Sequence, residues 1–144
     1  MRVLCDTAIF VYAVGTEHRY RDPCRAILAS AARRELSGLV SADLLQEFVH
    51  QRARRTGDRA KAVVDAQAIP VSCEVLDVTL AVATRALELF ASHSRLDARD
   101  AVFAAVALEH GVTHVVSPDG AFDAVSGLTR VDPLDADAVA ALAG

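Results

Sequence analysis

Short apolar runs alternate along the chain with longer stretches whose apolar positions recur every three or four residues. Val3-Leu4-Cys5 is the first run and predicts a buried strand ending at Asp6. Ala8–Val14 is apolar again and predicts a short helix broken at Gly15. Polar Thr16–Asp22 leads into a helix from Pro23 to about Leu36, with Asp22 as its cap, Ile27, Leu28 and Ala31 on its buried face, and Gly38 as its stop. Leu39-Val40-Ser41 predicts a second strand. Ser41 would cap a third helix over about Ala42–Arg55, whose stripe is Leu44, Leu45, Phe48 and Val49. Beyond the turn Thr56-Gly57-Asp58 a fourth helix is expected over Arg59–Ala68. Val71–Val78 reads as a weak or edge strand because Glu74 and Asp77 interrupt it, and Val78–Ser92 as a helix with Leu80, Ala83, Leu87 and Phe90 near one face. Ala98–His110 is the most apolar helix, stopped by Gly111. Strands are expected at Val112–Ser117 and Leu128–Val131, around a turn at Pro118–Phe122, and a last helix at Leu134–Leu142.

Strands alternating with helices place the chain in the α/β class, as a three-layer α/β/α sandwich around a mostly parallel sheet of four to five strands. A length of 144 residues suits one domain spanning 1–144. No apolar run reaches the roughly 20 residues a membrane span needs, and Asp6 interrupts what would be the core of a signal peptide, so a soluble cytoplasmic protein with no membrane partner is expected. Cys5, Cys24 and Cys73 lack metal-type spacing and read as reduced core thiols. A net charge of −4 argues against holding nucleic acid by charge alone. It leaves room for an acidic pocket whose cations meet a phosphate.

Four acids stand where this layout concentrates chemistry. Asp6 ends the first strand, Glu47 lies almost two turns into the third helix, Asp100 sits in the first turn of the apolar helix, and Asp119 lies two residues beyond Ser117. A doubly wound sheet brings such positions to one crevice at its carboxyl edge. Carboxylates so crowded need a counter-charge, and oxygen-only ligands favour Mg²⁺ or Mn²⁺ over zinc. Each acid also has a plainer reading. Asp6 and Asp97 can be helix caps, Asp100 the reciprocal acid of Asp97, Glu47 a helix-surface acid beside Gln51 and Arg54, and Asp119 a turn former. Arg52, Arg54, Arg55 and Arg59 form a basic cluster that reads either as a phosphate-binding patch or as a solvated helix end.

Other chemistries find less support. His18, His50 and His93 are isolated, and Gly111 interrupts the helix that would align His110 with His114. A receiver-like signalling module with an acidic pocket needs a lysine at a strand end, whereas Lys61, the only lysine, falls inside a helix. A phosphatase with Asp6 as nucleophile wants a second acid where Ala8 stands. A catalytically inactive binding protein would have little use for the four acids.

The segments VLCDTAIFVYA, LLQEFVHQ, RLDARDAVFAAVALEHG and VVSPDGAFDAV, in this order and spacing, resemble those of the PIN-domain nucleases, most of all the VapC-type toxins of bacterial toxin–antitoxin pairs. The resemblance runs nearly end to end. It implies a PIN-like fold and metal-dependent endoribonuclease activity, with Asp6, Glu47, Asp100 and Asp119 as metal-binding catalytic acids and Thr7, Ser117 and Asp97 supporting them. It further implies Mg²⁺ (Mn²⁺ as a substitute), RNA cut to 5′-phosphate and 3′-hydroxyl ends, a small VapB-like protein antitoxin and a homodimer. The faces around Ile9–Tyr12 and Leu44–Phe48 are the expected docking surfaces. Ala8, Asp97 and Gly120-Ala121 depart from the residues common in the family at those positions.

Overall fold

The computed structural model describes residues 1–144. Five strands, β1 (Arg2–Cys5), β2 (Ser37–Ser41), β3 (Glu74–Leu76), β4 (His114–Val116) and β5 (Thr129–Val131), form one sheet in the order β3-β2-β1-β4-β5 with every pairing parallel. The helices are α1 (Thr7–Val14), α2 (Arg21–Ala32), α3 (Leu44–Thr56), α4 (Arg59–Gln67), α5 (Ile69–Ser72), α6 (Leu80–Ser92), α7 (Ala98–Glu109) and α8 (Ala136–Ala143). From β1 the chain steps outward to β2 and β3, then crosses back over the centre to β4 and β5. Right-handed crossovers therefore put α1–α5 on one face and α6–α7 on the other. The packing agrees, with α1 against α2 and α3, α3 against α4, and α6 against α7. One cluster of 37 buried side chains fills both interfaces, so the two helix layers share the central strands Val3-Leu4-Cys5 and Val115-Val116 as a common floor. No helix is long and apolar enough to cross a membrane, and all three cysteines are buried and free.

The α/β sandwich is as expected, but several element ends move. The second helix starts at Arg21 with Tyr20, not Asp22, at its cap position, and Pro23 sits in its first turn, where a missing N–H costs nothing. It ends at Ala32, and Gly38 lies inside β2 rather than stopping the helix. A Cβ there would lie 3.0 Å from Cys73 Sγ and 3.3 Å from Ala31 Cβ, so the close packing of α2 and the Cys73 side chain on β2 requires glycine. Ser41 completes β2 instead of capping α3, which starts at Leu44 with Asp43 at the cap position and no side-chain cap bond. Glu47 consequently falls in the first turn of α3 rather than almost two turns in. Val71 and Ser72 belong to the short α5, leaving only Glu74–Leu76 as the edge strand. Gly57 closes α3 in the left-handed conformation (φ 68°) and Asp58 caps α4 through the Lys61 N–H at 2.9 Å. On α6 the predicted apolar face of Leu80, Leu87 and Phe90 is the exposed one, while Val82 and Ala86 point to the core.

Candidate active site

The strand order reverses between β1 and β4, and the crevice at their carboxyl ends is where such sheets place sites. Asp6 follows β1 directly and Ser117 follows β4. The Asp6 N–H donates to the Val116 carbonyl at 3.1 Å, which carries the pairing one residue beyond the strand end. Asp6 is buried, 7% exposed. Its Oδ1 accepts from the Thr7 N–H at 2.7 Å and its Oδ2 from the Ser117 hydroxyl at 2.6 Å. Asp6 is therefore a helix cap at the mouth of the crevice, its carboxylate fixed by the helix N-terminus and the serine. Thr7 leaves capping to Asp6 and donates its hydroxyl to Glu47 Oε2 at 2.8 Å, tying α1 to α3.

Glu47 also accepts from Gln51 Nε2 at 3.1 Å, one turn further along α3, and from Arg99 Nη1 of α7 at 3.4 Å. Asp97 caps α7 by accepting the Asp100 N–H at 2.8 Å, and Asp100 lies in the first turn. The Ser117 hydroxyl accepts from the Asp119 N–H at 3.0 Å, while Asp119 accepts from the Ala121 N–H at 2.9 Å and opens the 3₁₀ turn Gly120–Ala124. Ser117 thus orders both Asp6 and the Asp119 turn. Asp123, in the turn after Asp119, pairs with Arg130 at 2.8 Å. Lys61 is exposed on α4, not at a strand end.

The acids feel one another. Burial lifts the Asp6 carboxyl from 3.8 to about 6, against the opposing pull of the Ser117 and Thr7 hydrogen bonds and with help from the Glu47 and Asp119 charges. Burial and the charges of Asp6, Asp97, Asp119 and Glu47 together lift Asp100 to about 8. Asp6, Glu47, Asp100 and Asp119 therefore share one field, and Asp97 reaches into it from its cap position. Arg99, its side chain 55% exposed, is the one cation paired with any of them.

No three of these side chains are drawn tightly enough around one point to make a ready-formed metal cage. The donor set nevertheless suits a hard divalent cation: carboxylate oxygens only, one buried at Asp6, two half-buried at Glu47 and Asp100 and one exposed at Asp119, which without positive charge crowd one another. The Ser41 hydroxyl and Asp43 Oδ1, at the β2–α3 connection on this edge of the sheet, are buried with no hydrogen-bond partner. Each such atom costs about 1–3 kcal/mol while it stays unpaired, so the edge retains unused polar capacity. The sequence placed Gln51 beside Glu47, one turn along the helix, and the two are bonded. Sequence reasoning passed over Arg99 and Asp43, which nothing local marks.

The two roles of Asp97 separate by substitution. Asp97→Ala is expected to lower stability by about 1 kcal/mol through loss of the cap, and Asp97→Asn to restore it, because asparagine caps as well. Denaturant unfolding of the two variants checks this. Equal losses for both would mean that charge, not the cap, is what Asp97 supplies.

The PIN domain family model matches residues 3–128. The chain is 38% identical over 143 residues to Ribonuclease VapC7 of Mycobacterium tuberculosis, covering 99% of this chain and 98% of that protein. It is 30% identical over 130 residues to Ribonuclease VapC13 of the same organism, covering 90% and 98%. Among solved structures, VapC20 of Mycobacterium tuberculosis, a sarcin–ricin loop cleaving toxin, superposes with a TM-score of 0.75 at 24% identity over 90% of this chain and 98% of that one. VapBC2 from Rickettsia felis, bound to a promoter DNA fragment, gives 0.72 at 16% identity over 92% and 98%. These structural likenesses establish the fold, and the sequence similarity along almost the whole chain goes further: this protein belongs to the PIN-domain family and, within it, to the VapC group.

Proposed function

We propose that the chain is a Mg²⁺-dependent endoribonuclease and the toxin of a toxin–antitoxin pair. The observation that carries this is the crowding of Asp6, Glu47, Asp100 and Asp119 in one partly buried field, with Arg99 as their single paired cation. Asp6, Glu47, Asp100 and Asp119 are the residues that would hold the ion, Mg²⁺ or Mn²⁺, which when bound supplies charge neutralisation at a phosphodiester and a more acidic water. The remaining contributions come from the chain. Ser117 and the Thr7 N–H keep the two Asp6 oxygens in place, and the Thr7 hydroxyl and Gln51 orient Glu47. Asp97 sets the first turn of α7 and so the position of Asp100.

The relatives named ribonuclease support RNA as substrate, and the neighbours solved as VapBC complexes support a small VapB-like protein partner. Free cysteines fit a reducing cytoplasmic setting. The expected docking faces need correction: Ile9, Phe10, Val11, Leu44 and Phe48 are buried in the core and cannot receive a partner. The proposal is tested by incubating the purified chain with single-stranded RNA in Mg²⁺ or in EDTA. Cleavage in Mg²⁺ alone, leaving 5′-phosphate ends, is expected. Equal cleavage in EDTA would contradict it.

A further inference from the structure

The basic cluster of Arg52, Arg54, Arg55 and Arg59 does not act as one patch. Arg52 is only 12% exposed and is held by Asp65 at 3.0 Å, so it joins α3 to α4. Arg59 lies with Leu45, Val49 and Val63 along an apolar groove between those helices. Arg54 and Arg55 are exposed, and neither forms an ion pair or a side-chain hydrogen bond. With His50, Gln51 and Arg99 they line a pocket that contains no apolar side chain.

Three arginines from two helices facing one pocket repel one another. Favourable interaction with the carboxyl end of α3 accounts for Arg54 and Arg55 on that helix, and the Glu47 pairing at 3.4 Å brings Arg99 to them from α7, but neither gives Arg54 and Arg55 a counter-charge. An anion resolves it, because guanidinium groups match phosphate oxygens. The pocket also adjoins the acids. Gln51 and Arg99, two of its walls, both donate to Glu47. Glu47, Gln51, Arg54 and Arg55 follow at spacings of four, seven and eight residues, one face of α3. At about 1.5 Å per residue that face runs about 12 Å from Glu47 to Arg55.

We propose that this pocket binds a phosphate of the RNA strand other than the one being cut, so that the substrate lies along α3 from the acids toward Arg54 and Arg55. The assignment rests on the ribonuclease reading. It explains how a chain of net charge −4 holds a polyanion: the positive charge is placed locally, beside the acids.

The test is binding of a fluorescently labelled single-stranded oligoribonucleotide to the full chain in EDTA, followed across a salt series, for wild type, R54Q/R55Q, R99Q and the control R33Q. Arg33 pairs with Glu35 beyond the end of α2, before β2 begins, at the opposite edge of the sheet. R54Q/R55Q is expected to bind about tenfold more weakly, equivalent to about 1.4 kcal/mol, with a salt slope shallower by about 0.7 for each phosphate no longer neutralised. R99Q is expected to weaken binding as well, and R33Q to match wild type. R54Q/R55Q with wild-type affinity and slope, or an equally large weakening in R33Q, overturns the proposal. Binding is read without cleavage, so a chain that binds RNA in this way yet never cuts it defeats the nuclease reading alone.

Discussion

Asp6→Asn is expected to lower Mg²⁺-dependent RNA cleavage at least about a hundredfold, the lower range for losing one charge-stabilising group from an active site. The fold should survive. Asparagine is as good a helix cap as aspartate, and its amide oxygen can keep the bond from the Thr7 N–H that Asp6 accepts at 2.7 Å. The substitution also removes a buried charge whose carboxyl is already pushed up to about 6. The melting temperature in EDTA is therefore expected to hold or rise as activity disappears. Paired measurement of cleavage rate and thermal unfolding checks both halves. Wild-type cleavage in the variant would remove Asp6 from the site, and loss of folding would make it structural.

The second large effect concerns pH. In the metal-free chain the carboxyls of Asp6 and Asp100 titrate at about 6 and about 8, against an ordinary aspartate value near 3.9. The folded state thus binds these protons more tightly than the unfolded one. The stability they contribute is fully present below about pH 4 and is lost as pH rises through about 6 and 8. For Asp6 the move from 3.8 to about 6 sets a ceiling of about 3 kcal/mol. The contribution of Asp100 is reduced by its partial exposure to screening water. Thermal unfolding in EDTA should show Asp100→Asn gaining on wild type between about pH 5 and pH 8, and added Mg²⁺ should close the gap by stabilising wild type. A difference between the two proteins that stays constant with pH would mean that Asp100 is not crowded by other acids.

What could be read from the chain and what could not divide along physical lines. Val3-Leu4-Cys5 and the valines before Ser117 announced the central strands, because runs buried on both faces are continuous rather than alternating. With those strands placed, Asp6 and Asp119 fell at the correct edge, and the apolar helix carried Asp100 to it. Asp97 acts as the cap its position suggested. The errors arose where local signals compete. Asp22-Pro23 looks like a helix start, yet packing extends α2 back to Arg21. Ser41 looks like a cap, yet the strand register with β3 runs through it. On α6 the spacing of Leu80, Leu87 and Phe90 reveals a face but not whether that face points to core or solvent. The bonds that shape the site, Ser117 to Asp6, Thr7 to Glu47 and Arg99 to Glu47, join residues 111, 40 and 52 positions apart. No local pattern encodes such pairs; they follow only once the sheet order is known.

The central claim is that Asp6, Glu47, Asp100 and Asp119 jointly hold a divalent ion. Titration of the purified chain with Mn²⁺, followed by the loss of the free-ion electron paramagnetic resonance signal, tests it most directly when wild type is compared with the Asp6→Asn/Asp100→Asn double variant. Wild type should bind Mn²⁺, Mg²⁺ should displace it, and the variant should bind far more weakly while melting at or above the wild-type temperature. Equal Mn²⁺ binding by the two proteins would contradict the account.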